Sequence, residues 1–294
     1  MRYPEILDLT SAPQELTYTR REAMLYALSV GVGTEGLDDA DLRFVYEKDL
    51  LVLPTFATNL LGKDGGLLAK GGIDLKLILH SEQRLRIHNP LPPEGRVMSR
   101  SRIAHVADKG KDKGAVVQTE CTISDAASGI PYATVTLTIY CRGDGGFGGP
   151  GEDMYPLHQV PDRAPDVEIG QRTLPNQAAL YRLSIGEANP LHIDPNFARQ
   201  VGFEKPLLHG LCTYGFAARA VLKAHCGNEP ARLKTFDTRF AAPFFPGETL
   251  VTRTWRDGDV VSFESVCAER GVTVFKNGRC EIASAKSWQG RQGQ

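Results

Sequence analysis

Between Tyr132 and Cys141 the chain alternates, with Val135, Leu137 and Ile139 on one side and threonines on the other. A period of two predicts a half-buried antiparallel strand. Two strand-like runs precede it. One follows the punctuation of Pro90, Pro93 and Gly95 and runs to Val106; the other spans Ala115 to Ile123, with turns at ADKGKDKG and SDAASGIP. The same cadence returns in the second half, punctuated by Pro243, Pro246 and Gly247. Strands are predicted there to about Arg256, from Val260 to about Glu269 and from Val272 to Ile282, with turns at RDGD and ERG. A repeated order of punctuation and strands marks an internal repeat of about half the chain.

Each half also places one long helix ahead of its strands. Thr19 can cap the first, with Glu22 three residues on completing a capping box, and the helix runs through REAMLYALSVGV. The second follows His209-Gly210 as LCTYGFAARAVLKAHC and is closed by Gly227-Asn228. Leu211, Tyr214, Ala218 and Leu222 recur three or four apart and form its buried face. One apolar helix against several antiparallel strands predicts an α+β layout, a sheet wrapped around a central helix. Two such units would pair their sheets into one continuous body. The stretch from Arg142 to about Gly170 is dense in Gly, Pro and Asp and lacks periodicity, so it reads as a linker. The expected boundaries are a first half at 1–145, a linker at 146–170 and a second half at 171–294.

Composition narrows the function. The 294 residues suit two domains, and 41% hydrophobic with 23% charged residues is ordinary globular content. With 34 Lys and Arg against 35 Asp and Glu, the net charge is −1, which offers no global attraction to nucleic acid or anionic membrane. A local basic patch for a phosphorylated ligand stays compatible with it. The six cysteines form no C-x-x-C pair, so zinc or thioredoxin-type chemistry is not expected. No apolar run is long enough to span a bilayer, and the opening MRYPEILDLT carries acids where a signal peptide would be apolar. The final WQGRQGQ does not end in a peroxisomal tripeptide, so a soluble, cytoplasmic, reducing setting is the expectation.

Candidate chemistry sits in the second half, in IGEANPLHID. Glu187 and His192 flank Asn189-Pro190, where proline forces a turn that can aim a carboxylate and an imidazole at one water. Asp194 is placed to cap a short helix over DPNFARQVGF. Gly210 opens the long helix, whose free N–H groups suit a developing oxyanion. His209 is expected to be buried and bonded to backbone, and Tyr181 to be structural. The first half lacks both elements, so one site per chain is expected.

The run YRLSIGEANPLHIDPNFARQVGFEKPLLHGLCTYGFAAR resembles the signature of the type 2, (R)-specific 2-enoyl-CoA hydratases of the MaoC-like hot-dog superfamily. The likeness is nearest to the two-domain form in the eukaryotic peroxisomal multifunctional enzyme. FVYEKDLLVLPTFA, ILHSEQRLRIHNPLPPEG, GGFGG and RFAAPFFPGETL have counterparts in order. The resemblance implies a double hot-dog fold, a homodimer, and an acyl-CoA thioester substrate with no metal or redox cofactor. It places the family's catalytic histidine on His192, its catalytic aspartate on Glu187 and its oxyanion glycine on Gly210. Acyl-CoA contacts fall on His80, Ser81, Lys109, Ala188, Asn189, Pro190, Leu191 and Phe240. Two departures mark this chain: Ile185 is inserted between Ser184 and Gly186, and Glu187 replaces the aspartate. The implied reaction is reversible hydration of a trans-2-enoyl-CoA to a (3R)-3-hydroxyacyl-CoA. A dehydratase for a specialised acyl-CoA (steroid side-chain, branched or dicarboxylic) and a non-catalytic acyl-CoA-binding module stay open beside it.

Overall fold

A computed structural model describes residues 1–63 and 66–283; the C-terminal WQGRQGQ lies outside them. The strands are β1 (Gln14–Tyr18), β2 (Ile78–Ile87), β3 (Gly95–Asp108), β4 (Ala115–Asp125), β5 (Pro131–Cys141), β6 (Val167–Arg172), β7 (Leu233–Phe240), β8 (Thr249–Asp257), β9 (Val260–Cys267) and β10 (Thr273–Ile282). The helices are α1 (Arg20–Ser29), α2 (Asp39–Leu42), α3 (Leu67–Lys70), α4 (Gln177–Ile185), α5 (Pro195–Gln200) and α6 (Gly210–Cys226). All ten strands form one sheet in the order β1-β3-β4-β5-β2-β7-β10-β9-β8-β6. Each half contributes five, and the order is mirrored about the β2–β7 pair. The repeat is therefore a pseudo-twofold, and the expected continuous body forms through this central seam. Leu85 faces Phe236 across it, and on the opposite face Arg84 meets Asp237 at 3.1 Å.

The capping box of α1 is present: Thr19 accepts from the Glu22 N–H, and Glu22 accepts from the Thr19 N–H at 2.8 Å. The helix ends at Ser29, however, and it follows β1 as α4 follows β6. Its counterpart is thus α4 rather than α6, which corrects the expectation of one long central helix in each half. In the first half, the described residues between α1 and β2 hold only short pieces: α2, a 3-10 turn over Pro54–Asn59, α3 and a 3-10 turn over Leu75–Leu77. Leu53, Phe56, Ala57 and Leu60 of that segment fill the concave face there. In the second half α6 is buried along nearly its whole length, beyond the four positions that periodicity singles out. Gly215 lets it touch α1, since an added Cβ would stand 2.5 Å from Val30 Cγ1.

Thr136 and Thr138 point away from Val135 and Leu137, as alternation requires, yet both are buried. Their neighbours in register are Arg84, Glu82 and Gln118, and the Arg84 guanidinium lies 4.4 Å over the Tyr155 ring. Tyr155 belongs to the crossing from β5 to β6. That crossing must pass six strand spacings, about 29 Å at ~4.8 Å each. It is fastened on the way: Asn277 donates to the His158 carbonyl, His158 meets Ser262 Oγ at 2.7 Å, and Trp255 donates to the Arg163 carbonyl. The stretch read as a linker thus covers the outer face of the second half's strands, and β6 begins inside it at Val167. No described helix is long and apolar enough to cross a membrane.

Candidate active site

Helix α4 stops at Gly186, which takes the left-handed conformation (φ +66°) that glycine adopts without penalty. Gly186 and Glu187 both donate to the Arg182 carbonyl. Ile185 is the last helical residue and packs partly against the core. The chain then turns at Asn189, whose side chain accepts from the Leu191 N–H at 3.0 Å, into a single 3-10 turn over Pro190–His192. Asp194 caps α5 by accepting from Asn196 and Phe197, so its role is structural as expected.

Two backbone links bring this loop to the start of α6. Leu207 N–H donates to the Leu191 carbonyl, and His192 Nδ1 lies 3.0 Å from the Leu207 carbonyl oxygen. A carbonyl only accepts, so His192 carries its proton on Nδ1 and leaves Nε2 as a base. Burial lowers the His192 pKa, partly opposed by the Leu207 bond and the Glu187 charge, which keeps the imidazole neutral. Glu187 is held at both oxygens: Oε1 accepts from the Asn189 N–H at 2.7 Å and Oε2 from His209 Nε2 at 3.1 Å.

His209 is buried, as its position implies, but its bond is to Glu187 rather than to backbone, which corrects that expectation. Its ring stacks on His192 with centroids 3.7 Å apart, and Tyr181 lies against it at 4.9 Å. Burial first, then the neighbouring His192 and Arg182, push the His209 pKa down to about 3. Nothing in the local pattern signals this contact; it depends on the backbone links that join residues 191 and 207.

Glu187, His192 and His209 each bring a donor atom within 4.8 Å of the others, a set a divalent cation would accept. To bind there, the cation would have to break the His209–Glu187 bond. It would also have to pull the stacked imidazoles away from each other, since a metal lies in the plane of each ring that holds it.

Gly210 is exposed at the first position of α6, and no side chain caps that terminus. An added Cβ would stand 2.9 Å from Phe240 Cε1, so the lack of a side chain is what lets the Phe240 ring lie this close to the helix start. Phe240 in turn meets His80 at 4.9 Å between centroids. His80 sits at a bulge of β2 and bonds the Glu82 carbonyl, and burial lowers its pKa to about 4. Ser81 donates its hydroxyl to the Thr138 carbonyl. Ala188, Asn189 and Pro190 are exposed and Leu191 half-buried at the mouth of the loop. Lys109 lies in the β3–β4 turn, at the same end of the sheet as His80. Its ammonium is engaged by Asp153 at 2.9 Å and the Gly151 carbonyl, outside the Glu187–His192–His209 cluster.

These depressed histidines set an acid limit on stability. Below about pH 6.5 the unfolded chain takes up protons that folded His80 and His209 refuse, so stability is lost as pH falls toward 4 and 3. On the order of 2 kcal/mol from each is expected to be gone at pH 5. A thermal unfolding midpoint clearly lower at pH 5 than at pH 7.5 is the expected result; an unchanged midpoint would contradict it.

Two family models match the chain: the MFE-2 hydratase 2 N-terminal domain over residues 16–143 and the MaoC like domain over residues 156–277. A Dictyostelium discoideum protein named probable enoyl-CoA hydratase 2 is 40% identical over 291 residues, covering 96% of this chain and 97% of its own. A MaoC-like dehydratase from Phytophthora capsici superposes with a TM-score of 0.85 at 33% identity, covering 97% of this chain and 99% of that one. A Mycobacterium tuberculosis protein described as a double hot-dog superposes at 0.54 with 14% identity, over 94% and 97% of the two chains, a likeness of fold alone. Matched in both halves, and by relatives along nearly all of its length, the chain belongs to the MaoC-like, double hot-dog family of enoyl-CoA hydratases 2.

Proposed function

We propose that the protein is a hydro-lyase that reversibly adds water across a trans-2-enoyl-CoA to give a (3R)-3-hydroxyacyl-CoA. The observation that carries this reading is the convergence of Glu187 and His192 beside the open amide of Gly210. Water sits between the carboxylate and His192 Nε2. One of them takes its proton as the oxygen bonds to C3, and the electron pair of the double bond moves toward the thioester oxygen. The Gly210 N–H and the positive end of α6 stabilise that enolate. A proton delivered from the same pair to C2 completes the addition, and the reverse sequence dehydrates. No group beyond the chain and the substrate is needed, and CoA enters as part of the substrate. Phe240 lines the thioester site over Gly210. His80, Ser81 and the Ala188–Leu191 loop shape its mouth, and Lys109 meets the CoA phosphates on exchanging its Asp153 partner. The six free, buried cysteines agree with a reducing, cytoplasmic setting. Exposed Leu25 and Leu28 of α1 stand beside exposed Leu180 and Leu183 of α4, an apolar face that supports pairing with a second copy.

Loss of enoyl-thioester absorbance with crotonyl-CoA and with a longer enoyl-CoA tests the reading, with kcat expected in the ordinary range of about 1–10³ s⁻¹. Chiral analysis of the product reads its configuration, and light scattering on the same sample reads twice the chain mass if it pairs. Binding of CoA thioesters without turnover at any chain length would overturn the reading in favour of a binding module.

A further inference from the structure

The loop that carries the acid and the base is poorly braced by itself. Ala188, Asn189 and Pro190 are exposed, and the 3-10 turn that follows is three residues long. Acid–base groups must be held to within about 0.5 Å to be effective, and sites on loops meet that demand less well than sites on rigid elements. His209 is the opposite case. It is 5% exposed and immediately precedes the 17-residue buried helix α6. Its Nε2 is 3.1 Å from Glu187, one ring face covers His192 at 3.7 Å, and Tyr181 contacts the same ring at 4.9 Å.

We propose that His209 is a positioning residue for the hydration, its Nε2–H holding the Glu187 carboxylate while its ring holds His192. The inference rests on the hydratase reading. The carboxylate accepts, so the proton is on Nε2. Burial and the neighbouring His192 and Arg182 keep the ring neutral, so it donates without forming an imidazolium that would weaken Glu187 as a base. Because Gly210 is the next residue, the same rigid helix start aims the acid–base pair and the oxyanion donor. Glu187 spans the distance from its loop to the helix start and meets His209 at 3.1 Å.

Two substitutions separate the two contacts. His209→Gln keeps a donor near the Nε2 position without the ring, and His209→Phe keeps a ring to stack without the donor. The phenylalanine variant is expected to lose about 10²-fold in kcat with KM within about threefold, and the glutamine variant, which restores the donor but not the ring, to recover part of it. In a Glu187→Ala background the same phenylalanine exchange is expected to cost less than about twofold, because its effect runs through Glu187. Equal losses in both variants, or a full loss in the alanine background, would overturn the proposal. Should the variants unfold, nitrogen NMR of histidine-labelled wild type decides it: a neutral ring protonated on Nε2 across pH 6–8 supports the proposal, and an Nδ1–H tautomer or an imidazolium overturns it. A wild type inactive on every enoyl-CoA would sink the hydratase reading instead, while the tautomer would still report on the contact.

Discussion

Replacing Glu187 by alanine is expected to lower kcat on crotonyl-CoA by about 10²–10⁴-fold with little change in KM. Such a loss corresponds to about 3–5 kcal/mol of transition-state stabilisation. The carboxylate is gripped at both oxygens, by the Asn189 amide at 2.7 Å and His209 at 3.1 Å, which fixes it beside His192. Aspartate at this position is the more discriminating exchange. It restores the residue of the family pattern, but in this chain both bonds to the carboxylate are made by the longer side chain. Shortening by one methylene draws the carboxylate back by more than 1 Å, and a misplacement of that size is worth about 10²-fold. Aspartate is therefore expected to be impaired rather than improved. Initial rates within about threefold of wild type for both variants would remove Glu187 from the reaction.

Exchanging Gly210 for proline is expected to remove a further 10²–10³-fold, about what one oxyanion donor contributes. Proline is tolerated at the first position of a helix, where its missing N–H is not needed by the helix itself. The preceding His209 already has the extended backbone (φ −57°, ψ 133°) that a residue before proline prefers. Alanine at the same position is the control. Both substitutions put a carbon 2.9 Å from Phe240 Cε1, so alanine measures the crowding and only proline also deletes the amide. The expected result is a modest loss for alanine and a much larger one for proline, with similar thermal unfolding. Equal losses would show that the Gly210 amide does not face the developing charge.

The strands legible in the sequence, β3 to β5 and β8 to β10, carry strand-like runs between clear turns, although β3 and β8 also bury Ser99, Ser101, Thr252 and Thr254. β2 and β7 were hidden although they join the halves. Their inward positions include Gln83 and Thr238, paired with each other, and their outward positions carry Glu82, Arg84, Asp237 and Arg239. Both faces therefore look polar, and a period of two does not stand out. β6 was masked by the Gly- and Pro-rich text that leads into it. The catalytic candidates were legible because a turn, a capping signal and a helix start are local events, and the family resemblance fixed their register. His209 was misjudged because its partner lies 22 residues away and is brought near only by the Leu191–Leu207 link. The missing first-half helix was equally invisible: α1 has a proper capping box, and only strand order shows which helix it matches.

The β2–β7 seam also has a consequence for synthesis. The first five strands are complete once β5 has left the ribosome, but β2 then borders nothing on one side. Its partner β7 is made roughly ninety residues later, some 5–20 s at about 5–20 residues per second. Through that interval the nascent chain carries a ten-residue open edge in the middle of its future sheet. Unpaired edges invite pairing with other chains, and charge along the strand is a common guard against it. Glu82, Arg84 and Arg86 keep the waiting edge from strangers, and Glu82 and Arg84 serve again, closing their ion pairs with Arg239 and Asp237 when the proper strand arrives.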